Sequence, residues 1–171
     1  MSRIAGSRRD VAMLGFRQRW VPLLSTLFAS LLNALPVVMT TPLVPDIAYL
    51  VVLSWRLLRP EIWAAHVALP LGLFDDLIAG HPIGQSMALW TLTFLAFDFV
   101  DSRVGWRDYW TDWLFASVAI ALYTAGTWYV AHMMGSQAPI LVLLPQLILS
   151  IVAYPLVALL VVGLDRWRLA R

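Results

Sequence analysis

Long apolar runs separated by short polar stretches organise this chain. Residues 21–39, 46–58, 62–79, 83–100, 112–134 and 139–164 are apolar almost throughout, without the strict alternation of a half-buried strand. About 20 helical residues cross about 30 Å of hydrocarbon, so most of these runs have membrane length. The run at 46–58 is short: it either crosses a locally thinned bilayer, leans on neighbouring helices or stops before the far side. Pro36, Pro42 and Pro45 close the first run and predict an extended connection, because proline cannot continue a helix. The expected fold is an all-α polytopic membrane protein of about six transmembrane helices. Residues 1–20 form a basic cytoplasmic arm able to lie in the interface, 21–165 a single transmembrane domain and 166–171 a basic cytoplasmic tail.

Charge supplies the orientation. All 12 basic residues are arginines. They fall in the N-terminal arm (Arg3, Arg8, Arg9, Arg17, Arg19), the second connection (Arg56, Arg59), the fourth (Arg103, Arg107) and the tail (Arg166, Arg168, Arg171). The first, third and fifth connections have none, and basic residues in short loops stay cytoplasmic. An even number of crossings with both termini inside follows. Ser7-Arg8-Arg9 before an apolar run faintly resembles a twin-arginine export signal, but five further runs follow and no small-residue cleavage site is well placed, so the first run is expected to remain as a mature helix.

Two stretches have the make-up of surface helices. In 102–112, Arg103 and Arg107 are four apart, as are Trp106 and Trp110, so a helix there would carry guanidinium groups on one stripe and indoles on another, at lipid headgroup depth. An ordinary loop with aromatic belt residues fits the same sequence. The arm around Ile4, Val11, Leu14 and Phe16 allows the same two readings.

Composition narrows the chemistry. Hydrophobic residues make up 61% and charged residues 13%, and mean hydropathy is +0.78, more apolar than a water-soluble domain can bury. The arginines form no basic face, so nucleic acid is not an expected partner. With no cysteine and three histidines at no ligand spacing, neither disulfides nor a metal centre are expected. No cofactor is implied. Ionisable groups at membrane depth are the candidates for function: Asp75, Asp76 and Asp98, with His66 and His132. Asp76 lies about one turn before the hairpin Gly80-His81-Pro82-Ile83-Gly84, where Pro82 is expected to open the fourth helix, so its carboxylate can bond the unpaired N–H groups there. Successive helical residues point about 100° apart, so Asp75 and Asp76 are not expected to share one site as a catalytic pair. Asp98 is expected to snorkel or to pair with Arg103. Thr26, Ser30 and Asn33 form a polar stripe suited to interhelical hydrogen bonds. No serine, histidine and acid arrangement, phosphate loop, zinc motif or magnesium-binding aspartate set is evident, so an enzyme is not expected.

Residues 45–100 resemble the rod shape-determining protein MreD family. The likeness runs through Pro45-Asp46, Ser54-Trp55-Arg56 and Arg59-Pro60, and centres on Gly72-Leu73-Phe74-Asp75-Asp76-Leu77-Ile78-Ala79-Gly80-His81-Pro82-Ile83-Gly84. Gly72, Asp76, Gly80 and Gly84 occupy the family's glycine, aspartate, glycine, glycine pattern, in which position 75 is usually apolar. Tyr154-Pro155-Leu156 and the basic tail look like the family's last helix, whereas 102–137 is similar only in hydropathy and length. The resemblance implies a non-enzymatic component of the bacterial elongation machinery that binds MreC, within a complex containing MreB and peptidoglycan synthases, and helps regulate wall synthesis. It also implies the fold of the substrate-binding subunits of energy-coupling-factor transporters. That likeness keeps open the alternative of a small-molecule, vitamin-like binding subunit, which would need an external pocket lined by polar and aromatic groups. The external connections carry few such groups.

Overall fold

The computed structural model describes residues 8–34, 44–103 and 108–169. Among these there is no strand. Six α-helices follow one another: α1 (Arg8–Asn33), α2 (Ile47–Leu58), α3 (Ala65–Ala79), α4 (Gln85–Asp101), α5 (Tyr109–Met133) and α6 (Leu144–Leu169), the last entered through a 3-10 turn at Ile140–Leu143. Two helical stretches, Tyr109–Met133 and Ile140–Leu169, are long and apolar enough to cross a membrane. Helices α3 and α4, of 15 and 17 residues, fall short of the roughly 20 that a full crossing takes.

Several boundaries differ from the sequence reading. Helix α1 covers Arg8–Asn33, so the described part of the basic arm and the first apolar run are one helix. The run expected to reach 39 leaves the helix after Asn33, and Pro36 and Pro42 lie outside the described residues. Helix α4 begins at Gln85, three residues beyond Pro82, whose carbonyl instead accepts from Gln85 N–H at 3.0 Å to close the turn. The 102–112 stretch is not one helix. Arg103 sits in the turn after α4 with its guanidinium 5.1 Å from the Phe99 ring, while Trp110 belongs to α5 and is exposed; Trp106 and Arg107 lie outside the described residues.

The layering is set by α2. Nine of its 12 residues are buried, as expected of a helix apolar on every side. Helices α1 and α6 flank it, and α3 and α4 pair as an antiparallel hairpin. Gly72 makes that pairing possible: a Cβ there would stand 2.5 Å from Met87 Cα and 2.6 Å from Met87 N, so only a bare backbone fits. The exterior is the apolar side. Leu92, Leu95 and Phe99 on α4, Leu114, Val118 and Leu122 on α5, and Leu156, Leu159 and Leu160 on α6 are exposed, while Thr26, Ser30, Ser54, Asp75, Asp76, Ser86 and Ser150 are buried. That inversion suits a lipid surround, where interhelical contacts favour small and polar residues.

Prolines inside helices leave a carbonyl four residues earlier without its N–H partner. Two of these carbonyls are answered from other helices. Pro22 frees Gln18 O, which accepts from Arg168 Nη1 at 2.7 Å, and Pro155 frees Ile151 O, which accepts from Trp113 Nε1 at 3.3 Å. Pro155 thereby ties α6 to α5.

Candidate functional site

The polar side chains collect at the two ends of the bundle. At one end, Asp46 is the N-cap of α2, its Oδ1 accepting from Tyr49 N–H at 3.0 Å. The same oxygen accepts from Asn33 Nδ2 at 2.6 Å, and Asn33 Oδ1 accepts from Ile47 N–H at 3.1 Å. The other carboxylate oxygen accepts from the Tyr123 hydroxyl. One carboxylate thus joins α1, α2 and α5. Tyr123 stacks on Tyr49 with ring centres 3.9 Å apart, and the Tyr49 hydroxyl donates to Ala119 O at 3.2 Å.

Beside this hub stands the α3–α4 hairpin. Gly80 ends α3 in the left-handed region at φ 73° and Gly84 caps α4 at φ 95°, conformations that a Cβ would strain. Asp76 Oδ1 accepts from Ser86 N–H at 2.7 Å, and Oδ2 accepts from Gly84 N–H at 2.8 Å with a longer contact from Met87 N–H at 3.4 Å. These are the unpaired donors of a helix N-terminus, where a carboxylate is favoured by the dipole as well. Asp75 and Asp76 meet at one residue, Ser86, on different atoms of it. Asp75 Oδ2 takes the Ser86 hydroxyl proton at 3.0 Å while Asp76 takes the Ser86 amide, because α4 runs close enough to be gripped from two directions.

His81 completes that cluster and was not singled out by the sequence. Its Nδ1 is 3.3 Å from Ser86 Oγ and 3.5 Å from Asp75 Oδ2. Hydrogen bonding to Asp75 raises its pKa above the ordinary imidazole value, against a lowering by burial. A serine, a histidine and an acid are therefore together, although the sequence showed no such set. The geometry is not that of a nucleophile and its base: both partners face the same ring nitrogen, and Ser86 is fully buried with its hydroxyl bonded to the acid.

At the opposite end the arginines are paired. Arg56 Nη2 reaches Asp98 at 2.6 Å and Asp101 at 2.9 Å, so Asp98, expected to snorkel or to pair with Arg103, is half-exposed and paired with α2, whose arginine reaches across beside Phe94 and Phe97. Arg59 reaches Asp165 at 2.9 Å, and Arg168 reaches the same carboxylate at 2.6 Å while lying 5.3 Å from the Trp55 ring. Arg17 donates to Trp167 O and stacks over its indole.

Among the described residues no group of three or more histidine, aspartate or glutamate side chains could hold a metal ion. His132 stacks on Trp128 with ring centres 5.3 Å apart. Of the residues singled out from the sequence, Asp46, Gly72, Asp76, Gly80, Pro82 and Gly84 gather at or beside one end, and Arg56 and Arg59 at the other. Compared with protein-family models, with curated proteins and with solved structures, the chain gives no match.

Proposed function

We propose that this chain is a non-enzymatic, six-span protein of the bacterial cytoplasmic membrane, of the MreD kind, that binds MreC alongside MreB and peptidoglycan synthases and helps regulate wall synthesis and cell shape. The observation that carries this reading is the use made of the motif residues. Gly72, Asp76, Gly80 and Gly84 each serve one task in the α3–α4 hairpin: close approach, capping, chain reversal and helix entry. The stretch that carries the family likeness is thus built to hold a shape. Support for the topology, with both termini cytoplasmic, comes from the paired arginines at one end and, among the described residues, their absence from the other, together with the apolar exterior. The deciding experiment is co-purification of the full chain with MreC from membranes, scored with cell shape in a complementation strain. Retention of MreC by wild type and its loss with a normally abundant hairpin variant is the expected result; a cell-shape phenotype without any MreC association overturns the reading.

One observation favours the second reading, a vitamin-like binding subunit of a transporter with the energy-coupling-factor fold. The end that carries Asp46 holds a cavity lined by polar and aromatic side chains, which the loop composition alone did not foretell. Recovery with paired ATPases instead of MreC distinguishes it.

A further inference from the structure

At the Asp46 end the helices do not close. Between the ends of α1 and α5, the 140–143 turn, α2 and the hairpin lies a cavity of about 790 Å³. Small-molecule sites typically measure roughly 300–1,000 Å³. The stacked Tyr49 and Tyr123 form its inner wall, half-exposed Trp128 and Gln146 its rim, and Asn33 and Asp46 one side. Trp128 is fixed there by its indole N–H, which donates to Ala138 O at 2.9 Å.

Among the described residues, the acid and base side chains on the cavity wall are Asp46 and His81. The partners of the Asp46 carboxylate are neutral: the Asn33 amide, the Tyr49 N–H and the Tyr123 hydroxyl. The α2 N-terminus offsets roughly half a unit charge. Asp76 is engaged with α4, and His81 stands 3.5 Å from Asp75 and neutralises that acid when protonated. Among the described residues no arginine lines the cavity. With His81 set against Asp75, the Asp46 carboxylate is the charge that faces this space, and low-dielectric walls concentrate the opposite sign.

We propose that the cavity binds a small organic cation, an ammonium-bearing molecule with a flat apolar part, its charge meeting Asp46 and its flat part lying against Trp128 and the tyrosine wall. Asp46 Oδ2 accepts from Tyr123 and keeps capacity for a further donor. Aromatic faces attract cations, so rings and carboxylate act together on such a ligand. A neutral molecule of the same shape gains only the apolar contact, and an anion meets repulsion. The site goes beyond the scaffold reading and would supply the transport reading with its ligand class; it does not depend on MreC.

The test is calorimetric titration of the purified full chain with three probes of one shape and different charge: phenethylamine, 2-phenylethanol and phenylacetate. Saturable phenethylamine binding at least about tenfold tighter than that of 2-phenylethanol is expected, the scale of a charged contact in a desolvated aromatic site, with no binding of phenylacetate. Asp46→Asn should remove most of the preference for the amine. Thr124→Phe, which puts a ring into the cavity from α5 without touching the Asp46 contacts, should abolish binding, and it decides the matter should the Asp46 variant not fold. Absence of saturable amine binding, equal affinity for amine and alcohol, or amine binding that survives Thr124→Phe overturns the proposal. Co-purification with MreC is a separate readout, and its failure leaves the calorimetric result standing.

Discussion

Arg56 on α2 bonds Asp98 on α4 at 2.6 Å, and the two sides of that pair see different surroundings: the arginine side chain is 1% exposed and the aspartate 48%. The asymmetry fixes what each loss costs. Asp98→Asn removes a half-solvated acid and leaves Asp101 at 2.9 Å, so it should cost less than about 1 kcal/mol. Replacing both acids with asparagine strands a buried guanidinium and should cost about 3 kcal/mol. Equilibrium unfolding in mixed detergent, read by tryptophan fluorescence, checks this; equal costs for single and double variants would refute it.

Asp76 uses both carboxylate oxygens on different donors, so an amide cannot replace it cleanly. In Asp76→Asn one N–H of the α4 start keeps its acceptor and the other faces the amide NH2, which predicts an intermediate loss of about 1 kcal/mol. Asp76→Leu strips both and should cost about 3 kcal/mol. Membrane abundance and detergent unfolding for the pair provide the comparison, and indistinguishable asparagine and wild-type proteins would remove the two-oxygen account.

Gly72→Ala should separate α3 from α4, because the added methyl meets Met87 backbone at 2.5 Å, where no side-chain rotation relieves it. A loss of about 3 kcal/mol is expected, at the upper end for overpacking. Gly163→Ala on α6 meets nothing within 4 Å and should be neutral or stabilising by up to about 1 kcal/mol. Opposite signs for these two alanine variants are the expected measurement.

The hairpin should loosen with rising pH. His81 has its folded pKa raised, chiefly by hydrogen bonding to Asp75, so its contribution is fully present below the ordinary imidazole value and is lost as pH rises through the raised one. Amide exchange at Gly84 and Ser86, compared between wild type and His81→Gln at each pH, isolates the effect from the intrinsic pH dependence of exchange. Wild type should be the better protected at acidic pH and the two should converge at alkaline pH; parallel curves would dismiss the histidine.

Topology is checked by reporter fusions. In the six-span reading a fusion at Gly135 reports external and one at Arg59 cytoplasmic, and an external signal at Arg59 removes α2 as a crossing.

What the sequence disclosed follows the range of each interaction. The run at 46–58 became Ile47–Leu58, since an apolar stretch is a local signal; Asp46, read as its first residue, proved to be its cap. Asp76 and the N–H groups it serves are 8 to 11 residues apart, still near enough to read. The Asp46 to Tyr123 contact spans 77 residues and the Arg56 to Asp98 pair 42, and one sequence contains no register between helices that distant. Pro22 and Pro155 stand inside apolar runs, but Arg168 and Trp113, which answer the carbonyls they free, become visible only in the assembled bundle. The cavity is hidden for the same reason: its wall is drawn from helices far apart in the sequence, while the external connections carry few polar or aromatic groups.

Helix α2 bears on how the protein is made. At 12 residues it is about 18 Å long, and it is pinned at Asp46 by α1 and α5 and at Arg59 by α6. A translocation channel that sorts segments one by one on length and apolarity has little reason to release so short a helix sideways into lipid. In the six-span reading α2 is retained by its neighbours, and the neighbour that binds Arg59, α6, is made long after α2 itself. Insertion of α2 is then completed late: until α6 docks, α2 is an unsheltered guest, and a chain interrupted before residue 144 should be recognised by membrane quality control as unfinished.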